Sequence, residues 1–251
     1  MTEHVVIEDT GGVRLIRLDR PDKFNALTSA MYDTLREALA EADASEAIGA
    51  VVFSGSPGAF SAGNDLSDFV EASRHPFEDS PALHFIRQLA RTRTPMVAAV
   101  DGVAVGIGAT LTLHCDLVYA SPAARFRMPF VELGLVPEAG SSYLLPHRIG
   151  LQRTTEILLF SEAYDADEAV RLGLANAVVP ADRLLDHAMT QAARLAALPK
   201  GPLQATRTLI RRDQAALEAA VETEAVAFEA RLRSPEAQDA FAAFLNRSRK
   251  A

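Results

Sequence analysis

Apolar positions recur along this chain at two spacings, and the second takes over partway through. Val13, Leu15, Ile16 and Leu18 alternate loosely with Arg14 and Arg17, which predicts a half-buried strand. Over 27–43 the spacing turns helical. Met31, Leu35, Ala38, Leu39 and Ala42 share one face, with Thr28 or Ser29 placed to cap it. Ala50 to Phe53 is a short apolar run and reads as a buried strand ending at the turn Ser54-Gly55-Ser56-Pro57-Gly58. A helix over 81–93 follows, then buried strands over 96–100, entered through Pro95, and over 117–120. Beyond residue 150 helical spacing dominates, at 150–160, 165–172, 181–197, 203–212, 214–232 and 234–247, with a last strand over 174–179. Interleaved strands and helices followed by helices alone predict an α/β body with a helical C-terminal extension. The break at Pro199-Lys200-Gly201-Pro202 divides a core over 1–198 from a helical region over 199–251.

Composition narrows the partners. Apolar residues are 49% and charged residues 23% of 251, which are globular values. Thirty-three acidic against 25 basic side chains leave a net charge of −8, a poor match to nucleic acid or an anionic membrane. Cys115 is the single cysteine, which excludes an internal disulfide and a cysteine-rich metal site and fits a reducing compartment. Met1-Thr2-Glu3-His4 lacks a secretory n-region. The uncharged stretch between Asp101 and Asp116 falls short of the ~20 residues a membrane span needs. Arg249-Lys250-Ala251 is not a peroxisomal address. A cytoplasmic protein is expected.

Several chemistries lack their motif. No Gly-Lys-Ser/Thr occurs for a phosphate loop, and no Gly-x-Ser-x-Gly for a nucleophile elbow. Gly106-Ile107-Gly108 begins like a dinucleotide fingerprint, but Leu111 stands where the third glycine belongs. The six histidines show no metal-ligand spacing. Three segments carry candidate chemistry. Ala59 to Leu66 is rich in small residues that let a ligand approach the backbone, or is a tight connection capped by Asn64 or Asp65. Asp101 to Ala109 exposes the Ile107 amide at a helix start, or is close helix–strand packing. In Pro129 to Ser142, Glu138 lies among apolar and small neighbours. It is either a base with a raised pKa or a helix-start carboxylate.

Together these segments resemble the crotonase, or enoyl-CoA hydratase/isomerase, superfamily. Arg20-Pro21-Asp22-Lys23-Phe24-Asn25-Ala26-Leu27 is similar to its N-terminal signature. Phe60 to Leu66 and Val100 to Gly108 are similar to its two oxyanion segments. Cys115 to Ala120 and Ala166 to Asn176 match further motifs. The resemblance implies a crotonase-like spiral of ββα turns with a helical C-terminal trimerisation region, a homotrimer or dimer of trimers, and an acyl-CoA substrate. No cofactor is implied beyond the coenzyme A of that substrate.

The shared device of the family is a pair of backbone N–H groups holding a thioester oxygen as it becomes an enolate. The resemblance assigns them to Ala62 and Ile107. Hydratases add two glutamates, and motif matching places Thr110 and Phe130 at those positions, which argues against an ordinary hydratase. Glu132, shifted by two residues, is the runner-up base. Pro137-Glu138-Ala139-Gly140-Ser141-Ser142-Tyr143 resembles instead the catalytic segment of peroxisomal-type Δ3,Δ2-enoyl-CoA isomerases, which need one carboxylate, here Glu138. Phe130, Leu135 and Val136 are expected to wall it off from water. The resemblance also implies substrate contacts from Lys23 at the phosphates and from Ser61, Gly63, Asn64, Asp65 and Leu66 along the pantetheine and adenine path. Gly106 and Phe130 complete that set. Asp65 reads also as a structural cap and Lys23 as a solvated surface lysine. Arg247 and Lys250 would reach a neighbouring subunit's coenzyme A. The alternatives are another reaction of the family, such as hydration or thioester hydrolysis, and a non-catalytic acyl-CoA-binding trimer.

Overall fold

Apolar runs too short for helices pair as strands here, and amphipathic helices close over both faces. The computed structural model describes residues 2–56, 58–72, 75–211 and 213–248. The first half runs β1 (Val5–Thr10), β2 (Val13–Leu18), α1 (Ser29–Ala44), β3 (Ala50–Gly55), β4 (Ala59–Ser61), α2 (Leu66–Ala72), α3 (Pro81–Arg91), β5 (Met96–Val100), β6 (Val103–Val105), α4 (Ile107–Thr110), β7 (Leu117–Ala120) and β8 (Arg125–Arg127). Then follow α5 (Ser141–Phe160), β9 (Tyr164–Asp165), α6 (Ala166–Arg171), β10 (Ala177–Val178), α7 (Ala181–Ala196), α8 (Lys200–Arg211), α9 (Gln214–Leu232) and α10 (Pro235–Ser248). Pro57 of the expected turn and Lys250 of the expected tail contact lie outside the described residues, as does the side chain of Arg247.

Two sheets wind together. The larger has the order β1-β2-β3-β5-β7-β10, parallel except for the β1–β2 hairpin. The smaller has the order β4-β6-β8-β9, parallel until the antiparallel β9. Each of β3, β5 and β7 in the large sheet is followed by a short strand of the small one, so the chain turns repeatedly through both. β3 and β5 are buried along nearly their whole length, as parallel strands covered on both faces require. One face packs Val13, Val52 and Val97 against Leu184, Ala188 and Ala192 of α7. The other joins α1 and α3 in a main core that also takes Leu217, Val221 and Phe228 from α9 and Phe241 from α10.

Some expectations shift. Thr28 is the cap, and α1 starts at Ser29. The helix expected over 150–160 begins at Ser141, because two helical stretches join across Gly150, whose φ of 78° breaks the periodicity. β1, β4, β6, β8, β9 and α2 are additions to the expected set, and the strand over 174–179 shortens to two residues. Among the described residues no helix is long and apolar enough to cross a membrane.

Candidate active site

The ends of β4 and β6 lie side by side, and their following loops face each other. The Arg20–Leu27 segment braces the first loop. Leu27 N–H donates to Gly63 O at 2.8 Å and Asp65 N–H to Leu27 O at 2.9 Å. Asn25 ties in the strand through Nδ2 to Ala59 O at 2.7 Å, and Ser61 Oγ donates to Asn25 O at 2.9 Å. Gly63 has a φ of 90°, and a Cβ there would lie 2.8 Å from Val105 O. Only glycine lets the two loops approach this closely.

This bracing decides which amides are available. Ala62 N–H donates to Phe24 O at 2.8 Å, so the structure engages it elsewhere and it is not open to a ligand as expected. Neither the amide of Asn64 nor that of Ile107 has an acceptor among the described residues. Asn64 sits between the two residues that pair with Leu27. A strand amide in that register points away from the partner strand. Ile107 opens α4, where N–H groups have no intrahelical acceptor and carry partial positive charge.

One turn along α4, Thr110 Oγ1 donates to Glu138 Oε1 at 2.6 Å. The side chain standing where the resemblance puts a hydratase glutamate therefore serves to orient Glu138. Glu138 is 7% exposed. Burial pushes its carboxyl up to about 8, against the Thr110 hydrogen bond, and the nearby Glu224 charge adds to the rise. Its loop is unusual: Ala139 and Gly140 are both left-handed, with φ of 57° and 69°. Three groups hold it. Ser141 Oγ donates to Glu138 O at 2.6 Å, His114 Nε2 meets Ala139 O at 2.7 Å, and Glu224 of α9 accepts from Gly140 N at 2.6 Å and Ser142 N at 2.8 Å.

Glu224, His114 and Tyr32 are absent from the sequence reading of the site. Glu224 was legible as an acid on the apolar stripe of Leu217, Val221 and Phe228. His114 carried no signal, being one of six scattered histidines. Burial holds its imidazole down to about 3, overriding the hydrogen bond to Ala139, so it is neutral. Tyr32 Oη donates to Asn64 Oδ1 at 2.5 Å. It shares with Asn64, Leu27, Phe69, Phe77 and Leu232 the wall of a cavity next to the first loop.

The remaining expected residues divide. Asp65 pairs with Arg20 at 2.7 Å and accepts from Ser67 N and Asp68 N, so it caps α2. Ser61 is buried and bridges Asn25 O to Gly63 N. Leu66 is half-buried against the core, Phe130 and Leu135 lie within it, and Val136 packs on it. Gly106 caps α4 and donates its N–H to Arg127 O at 2.9 Å. Lys23 is exposed on a 3-10 turn and unpaired among the described residues. Glu132 is exposed and takes two hydrogen bonds of 2.7 Å from Arg127 Nη2, which removes the runner-up base from the interior. Among the described residues no three His, Cys, Asp or Glu side chains are grouped to hold a metal.

The arrangement can hold a developing oxyanion between two amides while one buried carboxyl moves a proton. Known proteins resemble this chain along most of its length. The chain is 35% identical to the rat enoyl-CoA delta isomerase 2 over 252 residues, 98% of this chain and 64% of that relative. It is 32% identical to the mitochondrial enoyl-CoA hydratase of Pongo abelii over 204 residues, 79% of this chain and 69% of that one. Among solved structures, Pseudomonas aeruginosa OdaA superposes with a TM-score of 0.93 at 41% identity, covering 97% of this chain and 99% of that one. The enoyl-CoA hydratase/isomerase of Pseudoalteromonas atlantica T6c superposes with a TM-score of 0.92 at 34% identity, covering 98% of each. The profile of the enoyl-CoA hydratase/isomerase family matches residues 8–251, and the chain belongs to that family and has the crotonase fold.

Proposed function

We propose that this member of the family is a Δ3,Δ2-enoyl-CoA isomerase, working without a cofactor as a homotrimer or dimer of trimers. A 3-enoyl-CoA carries acidic protons at C2, between the thioester carbonyl and the double bond. Glu138 removes one, the amides of Asn64 and Ile107 hold the oxygen of the dienolate, and protonated Glu138 returns the proton at C4. Asn64 takes the place first given to Ala62, whose N–H is spent on Phe24 O. Donors fixed where charge develops are worth about 3–4 kcal/mol each in related chemistry.

The observation that carries this reading is the single carboxyl. Glu138 is buried on a hydroxyl donor, Thr110, where a second acid would be needed to add water. Glu224 faces the loop amides and Glu132 the surface. A base with a pKa near working pH suits repeated protonation and deprotonation. The test is to follow 3-enoyl-CoA and trans-2-enoyl-CoA side by side. Isomerisation should outrun hydration, and deuterium placed at C2 of 3-enoyl-CoA should be carried in part to C4. Glu138→Gln should lower kcat by a factor of about 10²–10⁴. Brisk hydration of trans-2-enoyl-CoA, or full isomerase turnover by Glu138→Gln, would refute the reading.

A further inference from the structure

A base that shuttles one proton between two carbons has to keep one position while its charge changes. Glu138 sits on a backbone that would not hold itself. A left-handed conformation at a residue with a side chain, as at Ala139, is strained and persists only where its surroundings impose it. α9 imposes much of it. Glu224 reaches 84 residues back to accept from Gly140 N at 2.6 Å, Ser142 N at 2.8 Å and Ser142 Oγ at 2.5 Å. Contact there is tight, since a Cβ on Gly140 would come within 2.5 Å of Leu217 Cδ1. Glu224 is 7% exposed and has no cationic partner among the described residues. Its three donors all come from the loop of the base and the start of α5, so its hydrogen-bonding capacity is directed wholly at that loop.

We propose that Glu224 is a positioning residue for the proton-transfer step, by which the C-terminal helix α9 holds the Glu138 loop in its left-handed turn. This rests on Glu138 being the base of the proposed isomerisation. The titratable groups facing Glu138 are Glu224 from α9 and Tyr32 from α1, with neutral His114 behind the Ala139 carbonyl. A positioning role therefore has two signatures: a loss in turnover and a displaced acid limb.

Glu224→Gln keeps the size of the side chain, removes the charge and turns an NH₂ group toward the loop donors. Its kcat for 3-enoyl-CoA isomerisation should fall by about tenfold or more with KM nearly unchanged. The acid limb of kcat should also move to lower pH, because the like charge beside Glu138 is gone. Glu224→Asp should recover part of the rate. A folded Glu224→Gln with wild-type kcat and an unmoved acid limb overturns the proposal. So does a loss of activity that follows only the loss of folded protein, with the limb in place. If Glu224→Gln does not fold, Ser142→Ala decides. Removing one of the three donors should lower kcat severalfold, and an undiminished rate overturns the proposal. Exchange of the C2 proton of a saturated acyl-CoA in heavy water separates the two readings. Wild-type exchange without isomerisation counts against the isomerase reading alone. Undiminished exchange in Glu224→Gln counts against the positioning role.

Discussion

At Glu138, burial opposes ionisation, and the Thr110 hydroxyl offsets only part of that opposition. The sign of the consequence for stability follows. The folded carboxyl binds its proton up to about pH 8, well above the ordinary value of 4.5. The stability it contributes is therefore complete below that ordinary value and is lost as pH rises through about 8. Glu138→Gln should be more stable than wild type by a few kcal/mol above pH 8, and the gain should vanish toward pH 4. Thermal denaturation of both proteins across that range measures it; a variant no more stable at pH 9 than at pH 4 would show that burial does not strain the carboxyl. Activity should run the opposite way, falling about tenfold per pH unit below the pKa as the base fills with protons. Glu138 was legible in sequence because a lone acid among Pro137, Ala139 and Gly140 stands out. The paired amides were less so. A backbone donor has no side chain to advertise it, and whether Ala62 or Asn64 is free depends on how Phe24 to Leu27 pair with the loop. Glu224 showed as an acid on an apolar stripe, but nothing in its own helix identified Gly140 and Ser142 as its partners.

Among the elements, those with enough residues to show a period were readable, including α1, α3, α7, β3 and β5. β4, β6 and β8 have three residues each, too few for alternation, and they exist because their neighbours in the small sheet supply the hydrogen bonds. Those short strands nonetheless aim the loops that carry the unengaged amides of Asn64 and Ile107, so the least legible elements place the candidate site. The 3-10 turn Leu111–His114 extends α4 and lodges His114 against the Glu138 loop. Burial keeps that imidazole neutral, with a folded pKa of about 3 against 6.5 when exposed. A depressed folded pKa gives stability that is present above pH 6.5 and is lost as pH falls through about 3. Acid titration should therefore show stability declining from near pH 6.5, with a slope approaching one proton. His114→Gln should remove that slope while lowering stability at pH 7 by about 1–3 kcal/mol, the cost of disturbing a buried hydrogen bond. Identical acid profiles for the two proteins would mean that another group governs the transition.

Across the whole molecule, α8 is fixed by one face and bare on the other. Arg207 donates from Nε to Asp116 at 2.8 Å and from Nη1 to Thr92 O at 2.7 Å, and Arg211 joins the same carboxylate. Asp116 is itself tied to the sheet through Met96 N at 2.8 Å. Residues 207 and 211 are one turn apart and point inward, which leaves Leu209 and Ile210 outward at 76% and 72% exposure. α5 exposes Leu159 and Phe160 as well. Scattered surface leucines need no explanation, but adjacent large apolar residues on a rigidly anchored helix suit a face that another copy covers. The proposed trimer places its contact on α8. Sedimentation of the wild type should give a mass of three 27.0 kDa chains or a multiple, and the double variant Leu209→Asp, Ile210→Asp should sediment as a smaller species. Unchanged sedimentation would move the contact off α8. Asn64, Ile107, Thr110, Glu138 and Glu224 all belong to one chain, and none of their mutual hydrogen bonds involves α8. Dissociation should accordingly lower the melting temperature while leaving exchange of the C2 proton close to the wild-type rate at temperatures where the single chain stays folded.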